Sequence, residues 1–82
     1  MLRKSVCVVK KGEIERNAAL LVQTASLYDS RIHVSYANKT INAKSIMGVM
    51  TLPLTEGNTV DIIVDGADEE TAMNAIIEFF EG

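Results

Sequence analysis

The stretch TVDIIVDGADEETAMNAIIEFF, residues 59–80, changes its hydrophobic period halfway along. The first half alternates apolar and polar residues, which predicts a half-buried β-strand with Val60, Ile62 and Val64 on one face. The second half has helical spacing, and its predicted buried stripe consists of Ala72, Met73, Ile76, Phe79 and Phe80. Asp68 is a suitable cap for this helix, and Glu69 and Glu70 complement its positive end.

Upstream of this stretch the same patterns predict three more strands and two more helices. They are a strand at residues 5–9, a helix with apolar positions from Ala18 that ends near residues 28–30, a hairpin over residues 31–43 that turns at Asn38, and a helix of about two turns within residues 44–54. The order is strand, helix, strand, strand, helix, strand, helix. We therefore predict an α+β open sandwich of two layers, in which three helices cover one face of a four-stranded sheet.

Length and charge exclude several classes of protein. A chain of 82 residues with 48% hydrophobic content fits one domain, residues 1–82. The net charge is −3 with no basic stripe, so we expect no direct nucleic-acid partner and no anionic membrane surface. The start of the chain does not resemble a signal peptide, and the apolar runs are too short for a membrane span. A soluble cytoplasmic protein is the expectation.

The residue types that carry catalytic chemistry are scarce and scattered. His33 and the single cysteine, Cys7, have no spaced partners, so neither a metal site nor a cofactor is predicted. Cys7 lies in an apolar strand, where packing is the expected role, and His33 alternates with apolar neighbours and should face solvent. The glycines form no phosphate-binding loop. We predict that the chain is not an enzyme.

Two helix starts are candidate anion sites, because free N–H groups and the helix dipole favour negative charge there. One is KKGEIERNAALLVQ, residues 10–23, in which Ile14 lies between Glu13 and Glu15. The other has Ser45 as its expected cap. Ser45 precedes an apolar group, Ile46, Met47 and Met50, on a helix too short to bury every side chain, so a phosphate on Ser45 would lie beside a surface suited to a partner.

Three stretches, ALLVQTASLYDS, NAKSIMGVM and VDGADEETAMNAI, closely resemble the phosphocarrier protein family HPr of the bacterial sugar phosphotransferase system. They occur in the family's order and spacing, and the resemblance covers essentially the whole chain. It implies the open-faced sandwich of four antiparallel strands and three helices, in agreement with the predicted order of elements.

The resemblance also implies that the family's phosphoryl-carrier site is closed in this chain. Family members have G-x-H-A-R-P-A before the first helix, with leucine or isoleucine at x, and the histidine accepts the phosphoryl group. Here the stretch is GEIERNA, so Ile14 takes the histidine position and Asn17 the proline position, while Arg16 is retained. Isoleucine has no nucleophilic atom, and Glu13 and Glu15 would repel a phosphate.

The family's second site is a serine at the start of the second helix, and Ser45 matches it together with Ile46, Met47, Gly48 and Met50. In Gram-positive members a kinase/phosphorylase modifies this serine, and the product binds a transcriptional regulator of carbon catabolite genes. Arg16 matches an arginine that helps to bind partners and the serine phosphate. The member called Crh has the same combination of a retained serine and a replaced histidine, although it has glutamine at the histidine position. Pro53 departs from the family pattern of small residues.

The resemblance therefore implies a Crh-like regulator that is switched at Ser45, with HPr kinase/phosphorylase, a catabolite-control transcriptional regulator and phosphotransferase-system proteins as partners. Two alternatives stay open. The chain could carry phosphate through another residue, or it could be an HPr-fold interaction module in which Ser45 is only a cap. A monomer or a weak dimer is expected.

Overall fold

The computed structural model describes residues 1–9, 14–52 and 56–81, with only the backbone described for residues 14 and 15. Its elements are β1 (Leu2–Cys7), α1 (Ile14–Ser26), β2 (Arg31–Tyr36), β3 (Lys39–Asn42), α2 (Ile46–Val49), β4 (Thr59–Asp65) and α3 (Glu69–Glu81). This is the predicted order. Among the described residues, no helix has the length and apolar character that crossing a membrane requires.

The four strands form one antiparallel sheet in the order β1-β4-β2-β3. β4 lies in the middle, where Val60 pairs with Val6 of β1, and Val64 pairs with Ile32 of β2. Because side chains alternate along a strand, these paired residues share one face of the sheet. All four are buried, as is Ile62 between them. The predicted inner face of β4 is confirmed.

The helices cover this inner face and close the core. α3 packs against β1 and β4, while α1 packs against both α2 and α3. The whole predicted stripe of α3 is buried: Ala72, Met73, Ile76, Phe79 and Phe80. The opposite face of the sheet carries polar side chains, among them Asp61, which accepts hydrogen bonds from Ser5 Oγ and Arg3. The predicted α+β open sandwich is therefore confirmed.

Two predicted boundaries differ from the structure. β1 was expected at residues 5–9 but spans Leu2–Cys7, because its pairing with β4 extends to Leu2 opposite Val64. The amide of Val9 instead donates to the Phe80 carbonyl at 2.8 Å, at the end of α3. α1 ends at Ser26, short of the predicted residues 28–30.

The hairpin between β2 and β3 turns at a different residue from the one predicted. Tyr36 pairs with Lys39, which leaves the two-residue loop Ala37–Asn38. The positive φ of this loop, 54°, belongs to Ala37 and not to Asn38. The prediction that Asn38 supplies the left-handed conformation is wrong, although the turn itself lies where it was predicted.

Cys7 was expected to pack in the core, and this prediction is also wrong. Its side chain is exposed, because Cys7 lies with Arg3 and Ser5 on the outer face of the sheet. The side chains of Val6 and Val8 point inward and are buried. His33 lies on the same outer face of the sheet and is half-buried.

Asp68 precedes α3, as predicted for a cap, but its carboxylate binds a distant part of the chain. It accepts hydrogen bonds from the backbone amides of Asp29 and Ser30, both at 3.0 Å, and from the hydroxyl of buried Ser30. The Glu69 carboxylate instead accepts from the amide of Gly66 at 3.2 Å. Asp68 thus ties the loop between α1 and β2 to the start of α3.

We expect the hydrogen bonds to the Asp68 carboxylate to weaken at low pH. Hydrogen bonds from the Ser30 hydroxyl and the Asp29 amide lower the pKa of Asp68 below its ordinary value. A carboxyl group whose pKa is lower in the folded than in the unfolded state stabilises the folded protein. This stabilisation is complete at pH values above the unfolded-state pKa, about 3.9, and it is lost as the pH falls through the folded-state pKa. The free energy of unfolding, measured with urea from pH 7 to pH 3, should therefore fall more steeply with decreasing pH for the wild type than for Asp68→Asn.

The control for this experiment is Asp61→Asn, which removes a separate group with a lowered pKa. Hydrogen bonds from Ser5 and Arg3 lower the pKa of Asp61 on the open face of the sheet. The two variants should therefore each remove part of the acid dependence, and their effects should add. Parallel curves for the wild type and Asp68→Asn would contradict the assignment.

Candidate functional site

Ser45 is exposed immediately before α2 and is the N-cap of that helix. Its backbone is extended, with φ −107° and ψ 113°, and its Oγ accepts a long hydrogen bond of 3.4 Å from the amide of Gly48. The backbone around it is held more firmly: the Ser45 amide donates to the Asn42 carbonyl at 3.0 Å, and the Val49 amide donates to the Ser45 carbonyl at 2.9 Å. The hydroxyl is therefore accessible on a fixed backbone.

Three exposed apolar side chains follow Ser45, and we call Ile46, Met47 and Met50 the α2 apolar cluster. Their exposed fractions are 42%, 80% and 48%. Val49, by contrast, is completely buried and anchors α2 against the rest of the fold. α2 is one turn of four residues, shorter than the predicted two turns. Such a short helix buries one side chain and leaves the cluster exposed to solvent, as a docking surface requires.

Lys44 holds the segment before Ser45 in place. Its ammonium donates to the Tyr28 carbonyl at 2.6 Å, and its amide donates to the Asn42 side chain at 2.8 Å. The Ala43 amide adds a third bond, to the Ile32 carbonyl at 2.9 Å. Sequence reasoning did not assign a role to Lys44. The only signal available was its position beside the candidate serine.

Arg16 is exposed in the first turn of α1, the helix that packs against α2. The backbone of Ile14, the residue predicted to take the family's histidine position, begins α1. Asn17, predicted to take the proline position, is buried and makes a polar interaction. The prediction about Glu13 lies outside the described residues, as does Pro53, and the side chains of Ile14 and Glu15 are not described.

Within the described residues, no group of three or more histidine, cysteine, aspartate or glutamate side chains could hold a metal ion. The acidic side chains near the start of α3 have structural partners instead: Asp68 holds the loop before β2, and Glu69 binds the Gly66 amide. The predicted site thus consists of an exposed hydroxyl beside an apolar surface.

The sequence of the whole chain matches one protein family. The family PTS-HPr, described as "PTS HPr component phosphorylation site", matches residues 2–82. This chain belongs to the HPr family. The resemblance of its three motifs is therefore confirmed.

Both branches of the family are represented among its relatives. The HPr-like protein Crh of Halalkalibacterium halodurans is 45% identical over 82 residues, which cover 99% of this chain and 98% of that protein. The phosphocarrier protein HPr of Xylella fastidiosa is 44% identical, with 99% of this chain and 92% of that protein covered. Overall identity therefore does not separate an HPr-like protein Crh from a phosphocarrier protein HPr, and the individual site residues must do so.

Solved structures of the family have the same fold. HPr-C-His from Thermoanaerobacter tengcongensis superposes with a TM-score of 0.90 at 43% identity, over 99% of this chain and 92% of that one. Crh of Bacillus subtilis superposes with a TM-score of 0.77 at 33% identity, over 93% of this chain and 84% of that one, and that protein is described as a dimer with a swapped domain. The open-faced sandwich is thus the fold of the family.

Proposed function

We propose that this HPr-family protein is a regulator of carbon catabolite control that is switched by phosphorylation of Ser45. The observation that carries the proposal is the exposed Ser45 hydroxyl, fixed on its backbone beside the exposed α2 apolar cluster. The 45% identity to an HPr-like protein Crh supports it. A hydroxyl that is accessible but rigidly presented suits a kinase, and the neighbouring apolar surface suits a partner that binds the product.

The modification is a phosphoryl transfer from ATP. The Ser45 oxygen forms a bond to the γ-phosphorus, the bond from that phosphorus to the oxygen bridging to the β-phosphate breaks, ADP leaves, and the hydroxyl proton passes to the kinase or to solvent. The product carries between about −1.5 and −2 charges at neutral pH. It therefore changes the charge of this surface without burying any group.

Ile14 argues against the carrier function of the family. A phosphocarrier needs a nucleophilic atom and a positive environment for the transferred group, and isoleucine offers no such atom. Glu13 and Glu15 flank it in the sequence and add negative charge. If Ile14 takes the family's histidine position, as the motif resemblance implies, this position lacks both a nucleophile and favourable electrostatics.

The phosphorylated form is proposed to bind a catabolite-control transcriptional regulator through Arg16 and the α2 apolar cluster. Arg16 offers an exposed cation on α1, and Met47 offers an apolar side chain that is 80% exposed. Methionine adapts its shape to a partner surface, and arginine binds phosphate in a bidentate manner. The kinase and the regulator are the two proposed partners, beside phosphotransferase-system proteins.

The test is the intact mass of the protein after incubation with an HPr kinase/phosphorylase and ATP. The wild type should gain one phosphoryl group, and Ser45→Ala should gain none, because the accepting oxygen is absent. Ser26→Ala, which removes another exposed helix-end hydroxyl, is the matched control and should behave like the wild type. An unchanged wild-type mass, with a functional HPr phosphorylated in parallel, would rule out the proposal.

A second candidate is the phosphocarrier function, which the 44% identity to an HPr favours. The same mass measurement with phosphoenolpyruvate and the first enzyme of the phosphotransferase system decides between them. We expect no acid-labile adduct for the wild type, and partial transfer only for Ile14→His combined with Glu13→Gln and Glu15→Gln. If neither donor modifies the chain, the third interpretation, an HPr-fold interaction module, is favoured.

The proposal treats residues 1–82 as one HPr-like domain that acts in the cytoplasm without a cofactor and is not an enzyme. Such a domain would act as a monomer or a weak dimer. The swapped dimer described for Bacillus subtilis Crh makes dimerisation the point to check. Size-exclusion chromatography over a range of concentrations measures it.

A further inference from the structure

Lys44 has a charge without a counter-ion among the described residues. Its side chain is half-buried, and its ammonium donates to the neutral Tyr28 carbonyl at 2.6 Å. The described ion pairs involve only the Met1 amino group and Arg3, so no described carboxylate lies within 4 Å of the Lys44 ammonium. A cation whose one acceptor among the described residues is neutral thus lies next to Ser45 in the chain.

Tyr28 belongs to the loop between α1 and β2, residues 27–30, which we call the α1–β2 loop. Two side chains from distant parts of the sequence hold this loop. Lys44 binds the Tyr28 carbonyl, and Asp68 binds the next two amides, of Asp29 and Ser30. The first tie comes from the segment before α2 and the second from the segment before α3. Releasing the first would leave the loop held by Asp68.

We propose that Lys44 relays phosphorylation of Ser45 to the α1–β2 loop, by leaving the Tyr28 carbonyl for the phosphate. This inference rests on the proposed function only in taking Ser45 as the modified residue. The Cα atoms of adjacent residues are about 3.8 Å apart, and a lysine side chain is long and flexible. A phosphate with nearly two negative charges is a much stronger acceptor for an ammonium than a neutral carbonyl. We therefore expect the Lys44 ammonium to turn from the Tyr28 carbonyl to the phosphate.

The relay extends the switch beyond the modified residue. The α1–β2 loop carries Leu27, whose side chain is 77% exposed, so a change in this loop alters a second apolar surface. A partner that binds only the phosphorylated form can then distinguish it by two features, the new charge at Ser45 and the loosened loop.

The experiment compares backbone NMR spectra and amide hydrogen exchange of the full chain with serine or phosphoserine at position 45. Phosphoserine is installed during translation by an expanded genetic code, so the result does not depend on the kinase. The Tyr28 carbonyl and Asp29 amide resonances should shift on phosphorylation, and exchange at Asp29 and Ser30 should become about tenfold faster. Lys44→Met without phosphate should shift these resonances in the same direction.

The controls separate the relay from the direct field of the phosphate. In Lys44→Met, phosphorylation should no longer speed exchange at Asp29 and Ser30, whereas Lys39→Met, which removes an exposed lysine of β3, should respond like the wild type. If Lys44→Met does not fold, Lys44→Gln takes its place. Unmoved loop resonances in phosphorylated wild type, or an equal response in the Lys44 variant, would overturn the relay while leaving the kinase test intact.

Discussion

Phe80→Ala is expected to lower the free energy of unfolding by about 3–5 kcal/mol, the range for truncating a buried aromatic residue. Phe80 is the largest completely buried side chain among the described residues, at 0% exposure. Its ring meets that of Phe79 edge to face, with centroids 5.1 Å apart and an interplanar angle of 83°. Truncation removes both the apolar burial and this ring contact, and the backbone around it is fixed because the Phe80 carbonyl accepts from the Val9 amide.

Urea unfolding at 25 °C measures this loss. Leu27→Ala is the matched control, because it also truncates a large apolar side chain, but one that is 77% exposed. Its effect should stay within about 0.5 kcal/mol. If Phe80→Ala is too unstable to fold, Phe80→Leu should show an intermediate loss. A cost for Phe80→Ala close to that of Leu27→Ala would contradict the assignment of Phe80 to the centre of the core.

β4 and α3 could be predicted from the sequence because each has a long, unbroken hydrophobic period. β1 could not be bounded in the same way, since an edge strand is defined by its pairing partner: Leu2 belongs to it because it lies opposite Val64. Cys7 was misjudged because the apolar run around it hid the alternation, which places its side chain outward. Local periodicity is visible in a sequence, but pairing between distant segments is not.

In the candidate site, too, the features that depend on local sequence could be predicted, and those that depend on distant contacts could not. The exposed position of Ser45 and the apolar residues after it follow from a local pattern, a possible cap before a very short helix. The tie from Lys44 does not, because its acceptor is the main-chain carbonyl of Tyr28, and every residue has such a carbonyl. Asp68 is a similar case, since a residue typical of a helix cap binds amides 38 and 39 positions away in the chain. Contacts between side chains and a distant backbone leave no pattern in a single sequence.

Gly66→Ala is expected to cost roughly 3 kcal/mol, the sum of backbone strain and crowding. Gly66 has φ +156°, and a Cβ added there would lie 2.7 Å from the Ser30 Cα and 2.6 Å from its Oγ. Ser30 is 1% exposed, and Asp68 holds its amide at 3.0 Å, so its backbone cannot retreat without breaking that bond. The turn before α3 therefore needs glycine because a second backbone passes directly beside it.

Gly57→Ala is the matched control, since Gly57 also has a positive φ, +98°, but beyond its chain neighbours no heavy atom of the described residues lies within 4 Å of an added Cβ. Its free energy of unfolding should fall only by the backbone strain of an alanine at positive φ, about 1–2 kcal/mol. Ser30→Gly combined with Gly66→Ala removes the Oγ and Cβ contacts but leaves the Ser30 Cα at 2.7 Å, so the double variant should recover little stability. Urea unfolding of the four proteins decides the matter: recovery in the double variant would mean that the side chain of Ser30, and not its backbone, excludes every residue but glycine.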